Sequence, residues 1–159
     1  MRSFIAADVP QEILQKIDKI TTYFKTQTPP HSVKWVDSKN LHLTVKFIGD
    51  LPEEKLPAAQ SLIQDVLKGI SPFTISVEGL GIFPNPDRPR VIWLGIKEVD
   101  RLRYIHENLD QALTEAGVQC EKQDFHPHLT LGRVRRQLEQ QAAKEIGRTF
   151  SQFNIDILG

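Results

Sequence analysis

A short strand-forming sequence occurs twice in this chain, about half the chain length apart. His42-Leu43-Thr44-Val45 returns 86 residues later (128 − 42) as His128-Leu129-Thr130-Leu131, within a total of 159 residues. In an extended strand, the side chains of residues i and i+2 project to the same face. Each copy therefore presents an imidazole and a hydroxyl on one face and two apolar side chains on the other. The repeat predicts two related lobes, and if they face each other the four polar side chains converge in a cleft.

Composition places the chain among ordinary globular domains. Hydrophobic residues make up 40% and charged residues 25% of a chain long enough for one domain, or for two half-size lobes that share a core. Twenty Lys and Arg balance twenty Asp and Glu, so the formal net charge is zero. A protein that coats nucleic acid needs a cationic excess. Any contact with nucleic acid is therefore expected to be local, for example at a strand end.

The single cysteine and the amino terminus bear on the compartment. One cysteine, Cys120, excludes an intramolecular disulfide and a multi-cysteine zinc site, and favours a reducing compartment such as the cytoplasm. The amino terminus carries Asp8, Pro10 and Glu12 where a signal peptide would be apolar. No stretch approaches the roughly 20 apolar residues that span a bilayer. We expect no contact with a membrane.

Short β-rich runs alternate with amphipathic stretches, which predicts a mixed fold of helices and strands. The predicted strands cover residues 3–8, 33–36, 41–48, 73–77, 90–96, 128–134 and 153–157. The predicted helices cover residues 10–24, 53–67, 100–116 and 139–148, with Gly117 ending the third. A proline-rich loop is expected over residues 83–89.

Two histidines and two threonines suit phosphoryl transfer without a metal ion. An in-line displacement at phosphorus needs a base for the attacking oxygen and an acid for the leaving oxygen. Histidine serves in either role near neutral pH, and threonine hydroxyls can donate to the non-bridging phosphate oxygens. The pattern therefore indicates His42 and His128 as catalytic residues, with Thr44 and Thr130 as phosphate ligands.

Two other interpretations of the repeated motif remain open at this point. The histidines and threonines could be ordinary polar residues on the solvated side of a sheet. Alternatively, His126 and His128 flank Pro127 and could bind a metal together with His42. The same pattern places no acidic ligand, however, and a metal site would give the paired threonines no role. We therefore expect no metal.

The motifs resemble those of the two-histidine phosphoesterases, which carry duplicated His-x-Thr-x sequences. More narrowly, the chain is similar to the bacterial and archaeal RNA 2′,3′-cyclic phosphodiesterases, also called LigT-like proteins or 2′-5′ RNA ligases. The matching segments, in order, are Arg2-Ser3-Phe4-Ile5-Ala6, Trp35-Val36, His42-Leu43-Thr44-Val45-Lys46-Phe47-Ile48-Gly49, Gly81-Ile82-Phe83-Pro84, Pro89-Arg90-Val91-Ile92-Trp93 and Phe125-His126-Pro127-His128-Leu129-Thr130-Leu131-Gly132-Arg133. They cover nearly the whole chain.

The resemblance implies an α+β fold that is bilobal and pseudo-symmetric, with two mainly antiparallel sheets backed by helices around a central cleft. Residues 1–159 would form a single domain of two intertwined lobes. Family members continue with strand-forming sequence beyond the position of Ile157, so we expect the second lobe to lack its last strand and to have an exposed sheet edge.

The resemblance also implies hydrolysis of RNA 2′,3′-cyclic phosphate ends to 2′-phosphates, without a cofactor. His42 would be the proton donor to the leaving 3′ oxygen, and His128 the proton acceptor that activates water. The reverse reaction would join a cyclic phosphate end to a 5′-hydroxyl as a 2′-5′ linkage. Two alternatives are a phosphodiesterase for small cyclic phosphates, such as ADP-ribose 1″,2″-cyclic phosphate or a cyclic nucleotide, and a non-catalytic module that binds RNA ends. We expect a monomer.

Phe47 and Arg133 match family positions beside the base and the phosphate of the substrate. Each lies five residues after its histidine, an odd offset that a regular strand would point away from the cleft. Gly132 can supply a bulge that reorients Arg133. No comparable bulge-forming residue precedes Phe47, so Phe47 could equally be a core residue. Lys46 has the matching parity and is an alternative phosphate-binding residue.

Overall fold

A computed structural model of the chain describes residues 1–97, 99–135 and 140–151. The strands are β1 (Arg2–Asp8), β2 (Val33–Trp35), β3 (His42–Asp50), β4 (Val77–Phe83), β5 (Val91–Ile96) and β6 (His128–Val134). The helices are α1 (Gln11–Thr26), α2 (Leu56–Lys68), α3 (Val99–Glu115) and α4 (Gln140–Ser151), with 3₁₀ turns at Ser38–Asn40 and Glu53–Lys55. Most of the predicted elements are present, with ends shifted by a few residues.

The described residues form two compact units, each assembled from separate stretches of the chain. The two-stranded unit contains residues 1–7, 43–75 and 99–127, and therefore β1, most of β3, α2 and α3. The four-stranded unit contains residues 8–42, 76–97, 128–135 and 140–151, with the other elements. The boundary falls inside the first repeated motif, between His42 and Leu43. That these units together form one catalytic domain stays a prediction.

In the two-stranded unit, two helices cover one face of the β1–β3 pair. The Leu51 N–H donates to the Met1 carbonyl oxygen at 2.8 Å, so the end of β3 lies at the start of β1 and the pair is antiparallel. Ile5 of β1 packs against two groups of buried residues that join β3 to the helices. The groups are Ile48, Leu51, Ala59, Leu113 and Val118, and Val45, Ile105 and Leu109.

In the four-stranded unit, the strand order is β2-β6-β5-β4 and every neighbouring pair is antiparallel. One face of the sheet supplies buried side chains: Ile92, Leu94 and Ile96 from β5, and Leu129, Leu131 and Val134 from β6. They alternate with half-buried or exposed residues except between Leu131 and Val134, where Gly132 is also buried. This alternation is typical of an antiparallel sheet with one face in a core.

The prediction of a strand over residues 73–77 is wrong. The strand lies at β4 (Val77–Phe83), and Phe73 instead packs against the core group of Val45, Ile105 and Leu109 in the two-stranded unit. Glycines at 79 and 81 hide the strand from a sequence reading, because glycine is depleted in strands. Gly81 is required there, since a Cβ at that position would overlap the indole ring of Trp93.

The remaining fold predictions have mixed outcomes. α3 ends at Glu115, and Gly117 follows with a φ of +80°, as predicted for a glycine stop. The predicted proline-rich loop connects β4 and β5. The strand predicted at 153–157, and the sheet edge expected beside it, lie outside the described residues. Within the described residues, no helix is long and apolar enough to cross a membrane.

We predict that Gly81→Ala destabilises the protein by about 1–3 kcal/mol, because the new methyl group must displace Trp93 from a packed site. Gly69→Ala is the matched control, since a Cβ there meets nothing within 4 Å and the φ of −82° suits alanine. Its effect should stay within about 0.5 kcal/mol. Urea denaturation measures both, and equal stabilities of the two variants would contradict the packing argument.

Candidate active site

His128 begins β6, and two aromatic rings fix its orientation. The imidazole is half-buried, and it contacts the ring of Phe83 edge-on at a centroid distance of 5.2 Å and the indole of Trp93 at 5.9 Å. Phe83 and Trp93 stack on each other at 4.7 Å. Opposite His128 on β5 is Gly95, where a Cβ would lie 2.5 Å from the Glu78 backbone oxygen. Packing against Phe83 and Trp93 holds the imidazole ring.

A bulge brings Arg133 to the same face of β6 as His128 and Thr130. His128, Thr130 and Arg133 lie opposite Gly95, Trp93 and Val91, which alternate along β5. Directly opposed residues share a face of the sheet. Between Thr130 and Gly132 β6 advances by two residues while β5 advances by one, so β6 carries one extra residue there. The predicted bulge is present, and we call the surface with His128, Thr130 and Arg133 the His128 face.

A second cation lies beside Arg133 on the His128 face. Lys34 of β2 is directly opposite Arg133 of β6, and both side chains are exposed. Lys34 was not predicted from the sequence, because nothing local to residues 33–36 indicates which strand they pair with. Only the β2–β6 register places this lysine beside the second motif.

His42 begins β3 and is exposed. Its Nδ1 lies 2.9 Å from the backbone oxygen of Asn40, the last residue of the Ser38–Asn40 turn. A carbonyl oxygen only accepts, so Nδ1 carries the hydrogen and donates. Nε2 is therefore the nitrogen left to exchange a proton with a bound molecule. Asp37 caps the turn by accepting the Lys39 N–H at 3.1 Å, which anchors the segment that holds His42.

Thr44 and Phe47 project from β3 away from the helices of the two-stranded unit. Val45 packs against α3, so its neighbour Thr44 points to the opposite face. The Phe47 ring lies 6.0 Å from that of Phe4 and 5.5 Å from the Arg2 guanidinium. Arg2 and Phe4 leave β1 on the face opposite to Ile5, which is in the core. Phe47 thus shares the face of Thr44.

The expectation that Lys46 has the favourable orientation is wrong. The Lys46 side chain is 4% exposed, and its Nζ pairs with Oδ1 of Asp110 on α3 at 2.8 Å. Val45, Lys46 and Ile48 all reach the helix side, so the strict alternation of β3 breaks at Val45–Lys46. That break turns Phe47 outward, which the sequence analysis did not foresee.

His106 of α3 links segments next to both motifs and was missed by the sequence analysis. Its Nδ1 lies 2.8 Å from the Val45 oxygen, and because a carbonyl only accepts, Nδ1 donates this hydrogen bond. The His106 ring also stacks on Phe125 at 4.5 Å, with 19° between the ring planes. Val45 directly follows Thr44, and Phe125 precedes His128 by three residues. His106 therefore joins β3 to the segment around Phe125 within the two-stranded unit.

Cys120 is a half-buried thiol that packs against the core of the two-stranded unit. Burial raises the pKa of this thiol above its ordinary value, the charge of Lys46 lowers it, and that of Asp110 raises it. The thiol is therefore protonated at neutral pH, which makes Cys120 a packing residue rather than a nucleophile.

Two other features do not coincide with the predicted residues. No group of three His, Cys, Asp or Glu side chains able to hold a metal ion occurs in the described parts of the chain. A cavity of about 340 Å³ in the four-stranded unit lies between α1 and the segment after β2, and its lining includes Asp18, Lys25, Trp35 and Asp37. None of the predicted catalytic or substrate-binding residues lines this cavity.

Comparisons with known proteins agree with the resemblance seen in the motifs. The sequence profile of the 2′-5′ RNA ligase superfamily matches residues 9–158. A Methanothermobacter thermautotrophicus protein named RNA 2′,3′-cyclic phosphodiesterase is 37% identical over 135 residues, covering 85% of this chain and 72% of the relative. An Archaeoglobus fulgidus protein of the same name is 40% identical over 136 residues, covering 86% and 74%.

A solved structure supports the predicted fold class. The crystal structure of E. coli LigT complexed with 3′-AMP matches with a TM-score of 0.67 and 30% sequence identity, covering 87% of this chain and 76% of LigT. The α+β class with antiparallel sheets and a LigT-like fold is thereby confirmed.

We predict that His106→Ala lowers the free energy of unfolding by about 1–3 kcal/mol, because the Val45 oxygen loses its donor and Phe125 loses its stacking partner. His106→Phe keeps a ring for stacking and should fall between alanine and the wild type. Glu107→Ala, at an exposed neighbouring position of α3, is the control. Urea denaturation tests this order, and a His106→Ala protein as stable as the control would disprove this stabilising role.

Proposed function

The chain belongs to the 2′-5′ RNA ligase superfamily, and we propose that it hydrolyses 2′,3′-cyclic phosphate ends of RNA, with His42 as proton donor and His128 as proton acceptor. It is an enzyme of the RNA 2′,3′-cyclic phosphodiesterase type, as its relatives are. The observation that carries the proposed roles is the His128 face, where an imidazole, a hydroxyl and a guanidinium follow one another along one strand. Those are a base, a hydrogen-bond donor and a cation for a phosphate.

The proposed reaction is an in-line displacement at phosphorus. The His128 imidazole takes a proton from water as the water oxygen bonds to phosphorus. The bond between phosphorus and the 3′ oxygen breaks, and His42 gives its proton to that oxygen. The phosphate stays on the 2′ oxygen, so the product is a 2′-phosphomonoester.

Two hydroxyls would stabilise the charge that develops on the reacting phosphate. Thr130 lies between His128 and Arg133 on the His128 face, and Thr44 lies two residues after His42 in β3. Their hydroxyls would donate to the non-bridging oxygens, where negative charge increases in the transition state. The exposed Arg133, one step farther along the same face, adds a permanent positive charge for a phosphate group of the substrate.

The local surroundings of each histidine support its proposed role. The hydrogen bond from Nδ1 of His42 to the Asn40 carbonyl leaves Nε2 to donate a proton to the leaving oxygen. The aromatic contacts of His128 restrict its rotation, so a base in this position would need little further ordering.

Phe47 would stack on the nucleobase of the substrate. It shares the face of Thr44, and the adjoining Phe4 ring widens the aromatic surface. Stacking on an aromatic ring tolerates any base sequence, because every base has a π face. The bound 3′-AMP in E. coli LigT supports nucleotide binding by proteins of this fold.

Ligation and the alternative substrates stay within the proposal. With a 5′-hydroxyl in place of water as the attacking group, His128 would take the proton of that hydroxyl and His42 would again protonate the leaving 3′ oxygen, which gives a 2′-5′ linkage. Small cyclic phosphates are the second candidate substrates, since the reacting group is the same. We further infer a monomer that needs no cofactor, and a cytoplasmic location, which the single cysteine favours.

The deciding experiment uses an oligoribonucleotide that ends in a 2′,3′-cyclic phosphate, incubated with the purified protein in excess chelator. We expect full turnover to a 2′-phosphate end, because side chains supply the acid, the base and the phosphate ligands. Chromatography against 2′- and 3′-phosphate standards identifies the product. A 3′-phosphate product, or activity that is lost in chelator and restored by zinc or manganese, would contradict the mechanism.

We predict that His42→Ala and His128→Ala each slow the chemical step by roughly 10²–10⁴-fold, the usual contribution of a positioned acid or base. Thr44→Ala and Thr130→Ala should cost about 1–3 kcal/mol of activation free energy, the loss of one hydrogen bond to a charged group. His126→Ala, which removes an exposed histidine beside the second motif, should keep wild-type activity. Single-turnover rates of folded variants measure these effects, and near-normal turnover in either catalytic variant would refute the two-histidine mechanism.

A further inference from the structure

Two exposed cations oppose each other on the His128 face. Lys34 and Arg133 are paired across β2 and β6, which sets their Cα atoms about 4.5–5.5 Å apart. Like charges directly opposite each other on a sheet are unfavourable. Within the described residues, neither side chain forms an ion pair with a carboxylate. Two neighbouring cations without a carboxylate are the arrangement expected where an anion binds.

The general charge of the protein does not account for this pair. Basic and acidic residues are equal in number, twenty of each. Elsewhere in the described residues, Lys46 and Lys97 lie within 3 Å of a carboxylate oxygen, and Lys39 and Lys68 lie 3.8 Å from one. Lys34 and Arg133 are therefore a local positive site on a neutral molecule, and the site lies on the face that presents the second motif.

The spacing along β6 separates this site from the reacting phosphate. His128, Thr130 and Arg133 stand opposite every second residue of β5, so neighbouring members are about 7 Å apart along the sheet. The Lys34–Arg133 row is thus one such step beyond Thr130 and two beyond His128. If Thr130 contacts the cyclic phosphate, the pair is placed to reach the next anionic group along the chain of the substrate.

We propose that Lys34, together with Arg133, binds the internucleotide phosphate next to the reacting end, and that this contact makes the enzyme prefer RNA ends to mononucleotide cyclic phosphates. The inference rests on the proposed function and assigns its substrate class. A mononucleoside cyclic phosphate has no second phosphate, so it gains nothing from Lys34. An oligonucleotide gains a contact at every turnover, whatever its base sequence.

The test compares two substrates and three variants. The substrates are a dinucleotide with a 2′,3′-cyclic phosphate end and the corresponding mononucleoside 2′,3′-cyclic phosphate. Lys34→Gln should lower kcat/KM for the dinucleotide roughly fivefold to tenfold, between the effects of an exposed ion pair and of a charged hydrogen bond. The mononucleoside should change less than twofold. Lys34→Arg should retain the preference, and Lys19→Gln, which removes an exposed lysine from α1, should match the wild type.

A substrate with an uncharged internucleotide linkage tests whether Lys34 recognises the internucleotide phosphate. Replacing the internucleotide phosphate by a methylphosphonate removes its charge and leaves the cyclic end intact. The wild type should lose at least the factor that Lys34→Gln loses, because Arg133 contacts the same phosphate, and Lys34→Gln should cause no further loss on the methylphosphonate substrate. Additive losses, equal losses on both substrates, or no loss on either would overturn the proposal.

Equilibrium binding separates this inference from the proposed function. A dinucleotide that ends in a 2′-phosphate binds without being turned over, and titration can be followed by NMR. The wild type should bind it more tightly than the mononucleoside 2′-phosphate, and Lys34→Gln should lose that difference. If the wild type hydrolyses neither cyclic substrate, the proposed function fails, while the binding comparison still decides the role of Lys34.

Discussion

The arrangement of the His128 face depends on one irregularity in the pairing of β5 with β6. In a regular strand Arg133 would share the face of Leu129 and Leu131, both of which are buried. A guanidinium buried there without a partner would cost several kcal/mol. The extra residue before Gly132 avoids that cost and carries Arg133 to the side of His128. The hydrophobic core therefore sets the position of the charged residue, and no contact made by Arg133 itself is needed.

Glycine at 132 allows β2 to approach β6 at this bulge. A Cβ there would lie 2.8 Å from Cγ1 of Val33 and 3.0 Å from the Trp35 ring, so any larger residue would push β2 away from β6. β2 in turn carries Lys34. β3 also departs from strict alternation, because Val45 and Ile48 are both in the core although they are three residues apart. Both motif strands thus break their alternation shortly after the His-x-Thr sequence, and each break turns one further side chain toward the motif face.

The sequence predicts what depends on local order and misses what depends on pairing between distant segments. The His-x-Thr alternation, the bulge at Gly132 and the glycine stop at Gly117 are properties of a few consecutive residues, and the structure has the bulge and the stop where they were predicted. The position of β4 was missed because Gly81 is explained only by Trp93, twelve residues later. The orientation of Lys46 was missed because its partner, Asp110, is on α3.

A local pair of cations explains how a chain with no net charge can act on RNA. Affinity for the phosphate backbone grows with the number of phosphates neutralised, so a protein with a net charge of zero gains little from an unselected stretch of RNA. One cation pair beside a base and a hydroxyl can still distinguish an end with two phosphates from an end with one. Such a site recognises only the last residues of a strand. The product keeps the same two phosphate groups as the substrate, so the cation pair binds substrate and product alike. Because the rest of the strand is bound weakly, the product can still dissociate after each hydrolysis.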